Sequence, residues 1–284
     1  MHKVKAEGTC AALGEGLFLS MQDGIALIST KGLVVRHAPF AGAGALCVGK
    51  DLLFCADQSG VIWRLDQQTL MPQALGCGGP DVCSMCLSED AERLYALVCE
   101  ADSVLMSDAR TGAPLAVNRC GCHPRMLICR RDVLIAAGGE SGCVHLYHSR
   151  TLESLGNISM PGPVYSVAVC GSEIYALCLT AELNTLFAAR NGKHLSTIQL
   201  PGMPGCLLAA GDSIFAAVQG GLYAFSRSSG RIACLCDAPG RASKMLELSE
   251  GIVLYDPLSE CVFAGARNGV WKRICSRAKD ICLA

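Results

Sequence analysis

Along the chain, apolar residues come in short bursts of four to six, separated by glycine, aspartate, asparagine and serine. The stretch from 126 to 158 shows the pattern. Met126-Leu127-Ile128-Cys129 and Val133-Leu134-Ile135-Ala136 are apolar runs, and Gly138-Gly139-Glu140-Ser141-Gly142 is a turn. Val144-His145-Leu146-Tyr147 then alternates, and Thr151 to Ile158 supplies a fourth segment. Runs this short, bounded by turn formers, are β-strands and hairpins. No stretch keeps a helical period between caps.

The pattern repeats. A turn carrying an acid is followed by a pair of bulky residues at Leu17-Phe18, Leu52-Leu53, Leu94-Tyr95, Val133-Leu134, Ile174-Tyr175, Ile214-Phe215 and Ile252-Val253. Spacings between the second residues are 35, 42, 39, 41, 40 and 38. Four strands per unit of about 40 residues is the signature of a β-propeller blade. The expected fold is therefore all-β: one domain over 1–284, a seven-bladed β-propeller with four antiparallel strands per blade. The blades fall near 8–38, 43–77, 82–120, 124–160, 163–201, 204–238 and 242–276, with the ring closed by the termini. Equal spacing across the midpoint, with no linker there, argues against two β-sandwiches. For closure, Thr9-Cys10-Ala11-Ala12-Leu13 is favoured as the innermost strand of the first blade because its turn to the next strand is short. Ile281-Cys282-Leu283-Ala284 competes for that slot, and Val4 is placed to add an outer strand to the last blade.

Three motifs carry a family resemblance. Ser88-Glu89-Asp90-Ala91-Glu92-Arg93-Leu94-Tyr95 resembles the S-x-D-G-x-x-L-Y turn of YVTN-type and WD-repeat-like bacterial propellers. Asp108-Ala109-Arg110-Thr111-Gly112 resembles their D-x-x-T-G turn between the third and fourth strands. Cys122-His123-Pro124 and Met160-Pro161-Gly162-Pro163 resemble their lead-in to the innermost strand. The Trp-Asp dipeptide of true WD repeats is absent, and so is the tryptophan pattern of quinone-cofactor propellers, since the only tryptophans are Trp63 and Trp271. The resemblance implies the fold; function has to be argued from a site.

Composition narrows the classes. Apolar residues make up 51%, and 24 basic against 25 acidic residues give a net charge of -1. A disordered chain is excluded, and there is no basic excess with which to neutralise nucleic-acid phosphates. The N-terminus, Met1-His2-Lys3-Val4-Lys5-Ala6-Glu7, opens no apolar signal segment. The longest apolar runs, such as Leu207 to Ala210, fall far short of the roughly 20 residues of a spanning helix. The expectation is a cytoplasmic protein with no membrane or nucleic-acid partner. In that setting its 19 cysteines are expected to be reduced, with Cys47, Cys55, Cys129, Cys170, Cys178 and Cys206 packed on strands as small hydrophobes.

Sorting charges by turn separates two faces. Turns between first and second strands hold Glu15, Asp51, Asp90, Asp132, Glu173, Asp212 and Glu250. Turns between third and fourth strands on the same face hold Lys31, Arg110, Arg150, Arg190, Arg227 and Arg267, so that face is expected to neutralise itself through weak salt bridges and to be structural. The other face is irregular, which is where repeat proteins place function. Segments leading into the innermost strands carry Arg36, His37, Asp81, His123, Arg125, Tyr165, Arg241 and Lys244. An outer set of acids there comprises Asp23, Asp57, Glu100, Asp102, Glu140, Glu182 and Asp256. His123, Arg125, Tyr165, Arg241 and Lys244, with Arg36 and His37 outside them, form a candidate channel mouth for an acidic peptide segment or a small anion.

Two other chemistries compete. Cys120, Cys122 and His123, with Cys77 from the preceding blade, are the metal-like set, although paired finger spacing is missing. A lactonase- or hydrolase-like enzyme at the mouth is the alternative, yet there is no Gly-x-Ser-x-Gly elbow, and His37, His123 and His194 lack sequence-evident partners. Gly76-Cys77-Gly78-Gly79 and Gly138-Gly139 precede no helix and lack the dipole that makes such loops bind phosphate. The expected role is a non-catalytic, monomeric binding scaffold for a protein segment, without a cofactor.

Overall fold

The computed structural model describes residues 16–21, 23–29, 31–39, 43–49, 51–121, 123–180, 184–190, 193–237, 242–248, 251–265, 271–276 and 278–283. They form seven four-stranded antiparallel sheets, the blades of a propeller. The innermost strands, in blade order, are Ala278–Leu283, Ala43–Val48, Val82–Leu87, Met126–Arg130, Val164–Cys170, Pro204–Ala210 and Lys244–Leu248. The second strands are Gly16–Met21, Leu52–Asp57, Arg93–Val98, Val133–Ala137, Glu173–Leu179, Ser213–Val218 and Gly251–Asp256. Among the described residues no helix is long and apolar enough to cross a membrane.

Burial explains the apolar bursts. Each second strand is covered on both faces by neighbouring blades. It reads as a continuous apolar run, and Leu53, Phe54, Cys55 and Ala56 are all buried. Outermost strands see a neighbour on one side only, and Pro114–Arg119 alternates between exposed and half-buried residues. The core is thus a ring of seams between blades. One cluster joins Phe54, Ala56 and Ile62 of blade 2 to Val82, Met85 and Leu94 of blade 3.

Strand register defines the row that fills these seams. Phe18, Phe54, Tyr95, Ile135, Tyr175, Phe215 and Val253 occupy one equivalent position of the second strand, facing the next blade. Two sequence anchors, Leu53 and Leu134, therefore shift by one residue, to Phe54 and Ile135. Burying one such large side chain contributes about 1.5–3 kcal/mol.

Ring closure differs from the favoured expectation. Ala278–Leu283, from the C-terminal end, pairs antiparallel with Gly16–Met21 and is the innermost strand of blade 1. Its Ile281 is fully buried against Leu17 and Leu19, and that apolar fit decides the slot. Residues 9–13 and Val4 lie outside the described residues.

The turn motifs have a local cause. Asp108 Oδ1 accepts the Arg110 and Thr111 amides at 3.0 and 2.7 Å and the Thr111 hydroxyl at 2.7 Å. Asp66 and Thr69 repeat this in blade 2. Such side-chain turns set the reversal between third and fourth strands.

Among the described residues thirteen cysteines are free. Burial pushes the Cys178 thiol up to about 12 and Cys129 to about 11. Cys170 is half-buried rather than packed away. The reduced reading fails at one place: Cys83 and Cys99 form a disulfide. The bulge between Val82 and Ser84 turns Cys83 out of the innermost strand toward Cys99, just past the strand paired with it.

Candidate functional site

The channel has two ends. At the expected mouth, turns between second and third strands meet the connections from one blade to the next. Gly78 N–H donates to Gly60 C=O at 2.7 Å, and Cys120 N–H to Asp102 C=O at 2.8 Å. Arg125 sits at the head of the innermost strand of blade 4, its amide donating to Ala137 C=O at 2.8 Å and its side chain exposed. Tyr165 takes the equivalent place in blade 5, inside a bulge between Val164 and Ser166, and is 38% exposed. His123 is held in the left-handed region, at φ 50°, by its amide, which donates to Asp102 Oδ1 at 2.8 Å. Its ring is 77% exposed, with Nδ1 3.9 Å from the same carboxylate. Lys244 begins the innermost strand of blade 7 and is half-buried, paired with Tyr255 across the sheet. Arg241 lies outside the described residues.

Arg36 and His37 are not at this mouth. They pair with Leu27 and Ala26 in the outermost strand of blade 1, Val34–Pro39, at the rim of the ring. Sheet pairing claims the residues that looked like a connection. His37 Nε2 lies 3.8 Å from Asp23 there. The outer acids are also partly consumed. Asp57 accepts the Trp63 indole N–H at 2.8 Å and the Ser59 and Val61 amides, and Asp256 is buried, accepting from Leu258 N–H and Ser259 Oγ–H.

Of the metal-like set, the two described side chains lie in different surroundings. Cys120 is buried in the seam between blades 3 and 4, whereas His123 projects into solvent. Cys122 and the Cys77 side chain lie outside the described residues. Among the described residues no group of three or more His, Cys, Asp or Glu side chains is arranged to hold a metal ion.

At the opposite end, the expected ring of salt bridges is reduced to a few pairs among the described residues. Asp132 and Arg150 are 3.9 Å apart and exposed. Asp212 accepts instead from the Ser226 and Ser228 hydroxyls, at 3.1 and 2.6 Å. The strong pairing is at Glu173, which is buried. It accepts from Tyr175 Oη–H at 2.7 Å, from Arg190, and from Arg227 Nη2–H of blade 6 at 2.8 Å. The Tyr175 hydroxyl, then Arg190 and Arg227, hold the Glu173 carboxyl down at about 2.

Sequence reasoning missed two features. The first is a pair of serines: Ser84 Oγ accepts the Leu127 amide of the next blade at 3.0 Å, and Ser166 Oγ accepts the Leu207 amide at 3.0 Å. The second is a cavity of about 480 Å³ at the end expected to be purely structural, opening between blades 4 and 5 beside Arg130 and Arg131. Once register is known, the pattern exposes it: the row of buried aromatics drops to Ile135 at this seam. Chemically, the mouth offers hydrogen bonds and positive charge on a carbon-lined scaffold. The two serines of its innermost strands, Ser84 and Ser166, are already engaged by backbone amides.

No protein-family model matches the sequence, and no curated protein sequence matches it significantly. Solved structures do match. A functionally unknown protein from Desulfotomaculum acetoxidans aligns with a TM-score of 0.81 at 10% identity, over 95% of this chain and 98% of that one. The RRP9 WD40 repeats align at 0.70 and 13% identity, over 98% and 95%. BamB from Moraxella catarrhalis aligns at 0.65 and 14% identity, over 93% and 83%. At such identities the likeness shows the fold alone: the chain is a seven-bladed β-propeller.

Proposed function

We propose that the protein is a non-catalytic binding platform whose channel mouth takes an acidic segment of a partner protein. One observation carries this reading. Arg125 and Tyr165 head the innermost strands of adjacent blades, both exposed, and among the described residues neither side chain has an ionic or hydrogen-bond partner. A guanidinium and a phenol at equivalent positions of adjacent blades favour a carboxylate-bearing segment, since Arg forks onto carboxylates and Tyr is an amphipathic contact residue. The solvated His123 ring extends the same surface. A likeness to WD40 repeats agrees with such a role, though a fold of this kind hosts many functions.

The test is fluorescence anisotropy with a labelled hexaglutamate peptide at low and physiological salt. Wild-type protein is expected to bind, with affinity falling as salt rises. Arg125→Ala combined with Tyr165→Ala is expected to weaken binding by about tenfold or more. Equal binding by the double variant, or none by the wild type, would remove the proposal.

A further inference from the structure

The cavity between blades 4 and 5 exists because this seam lacks what its neighbours have. The seam-filling row carries an aromatic ring in five blades, but Ile135 here. Next to it Val133 stands where blade 5 has Glu173, and Met126 stands where blades 3 and 5 have Ser84 and Ser166. The two innermost strands scarcely touch. The seam is pinned at the mouth end, where Val164 N–H donates to Gly139 C=O at 3.2 Å, so it opens toward the opposite end. The resulting wedge, about 480 Å³, is of a size typical of small-molecule sites. Its walls are Val133, Ile135, Leu146 and Ile158 on one side, and Val169 and Ile174 on the other.

Its rim is charged. Arg130 and Arg131 both line it, and neither makes an ion pair or a side-chain hydrogen bond among the described residues. Arg131 adopts φ 51°, in the left-handed region, at the turn position where blades 5 and 6 use Gly171 and Gly211. Glu89 is the one acid on the lining, so the rim carries a single net positive charge.

We propose that this cleft binds a small apolar monocarboxylate, its hydrocarbon part between blades 4 and 5 and its carboxylate on Arg130 and Arg131. One guanidinium forks onto a carboxylate, and the single net positive charge of the rim, two arginines against Glu89, suits a monoanion. The tail replaces the ring that the sequence omits at Ile135. The site lies at the other end of the channel from the mouth, so its test is independent of the peptide-binding reading.

Isothermal titration with sodium octanoate and with octan-1-ol decides it. Octanoate is expected to bind saturably, one molecule per chain, and octan-1-ol about tenfold more weakly or worse. Ile135→Phe, which fills the wedge, and Arg130→Gln with Arg131→Asn, which strips the rim, are each expected to weaken octanoate binding by about tenfold or more. Circular dichroism confirms that each variant is folded. If Ile135→Phe does not fold, the surface arginine pair alone carries the decision. No octanoate binding by the wild type, equal binding of the alcohol, or full octanoate binding by a folded variant would each overturn the proposal.

Discussion

Two adjacent seams of one ring are built by different rules. Between blades 5 and 6, Tyr175 fills the gap, Ser166 accepts the Leu207 amide, and Glu173 reaches across to Arg227. Between blades 4 and 5, the same three positions hold Ile135, Met126 and Val133, and a cavity remains. The seam between blades 3 and 4 sides with the first. It has Tyr95, whose hydroxyl donates to Ser149 C=O at 2.5 Å, and Ser84 on the Leu127 amide. A repeat fold can thus be locked at one joint and left open at the next without altering its backbone plan. Stability and a binding cleft are divided among copies of the same unit.

The sharpest way to break the contrast is at Glu173. Glu173→Ala strands Arg227 and Arg190 and is expected to cost about 3 kcal/mol in urea unfolding. Asp132→Ala, at the exposed pair with Arg150, is expected to stay within about 0.5 kcal/mol. Acid should erase the difference. The Glu173 carboxyl sits at about 2 against an ordinary 4.5, so its contribution is complete above pH 4.5 and is lost as pH falls toward 2. Over that window the stability gap between wild type and Glu173→Gln is expected to close; a gap unchanged with pH would show that the carboxylate is not the source.

Ser166→Ala comes next. It leaves the Leu207 amide without its acceptor, at an expected cost of about 1–2 kcal/mol. Met126→Ala, at the equivalent place of the open seam, breaks no hydrogen bond of this kind, so hydrogen exchange at the following blade is expected to quicken only in the Ser166 variant. The smallest effect has the opposite sign. Ile135→Phe restores the missing ring and is expected to raise stability by about 0.5–1 kcal/mol. A loss instead would mean that the wedge is too narrow for a phenyl group, and the contrast between seams would shrink to its polar part.

The blades were legible because short apolar runs and acid-bearing turns recur with one period, and because aspartate turns such as Asp108 to Gly112 have a purely local cause. The Leu53 and Leu134 anchors went astray by one residue because neighbours on a doubly covered strand are equally apolar. Arg36 and His37 read as a connection because an edge strand is half polar. The closing strand was misplaced because Thr9–Leu13 and Ile281–Ala284 carry the same kind of pattern, and only packing against Leu17 and Leu19 separates them. The Ser166 and Glu173 ties join residues 41 and 54 apart in sequence, beyond any local pattern. The cleft is an omission, visible only against the aligned row of rings. Of the mouth, Arg125, Tyr165 and His123 stand on the expected face, because the heads of innermost strands follow from the blade period alone.

The strand that seals the ring, Ala278–Leu283, bears on how the molecule is made. Gly16–Met21 leaves the ribosome well before Ala278–Leu283, on the order of 13–50 s at ordinary synthesis rates, and waits that long for its partner. Through that interval an apolar strand edge stands open, a template for pairing with another nascent chain. A mutation in Ala278–Leu283 is therefore expected to damage the first sheet, about 260 residues away in sequence.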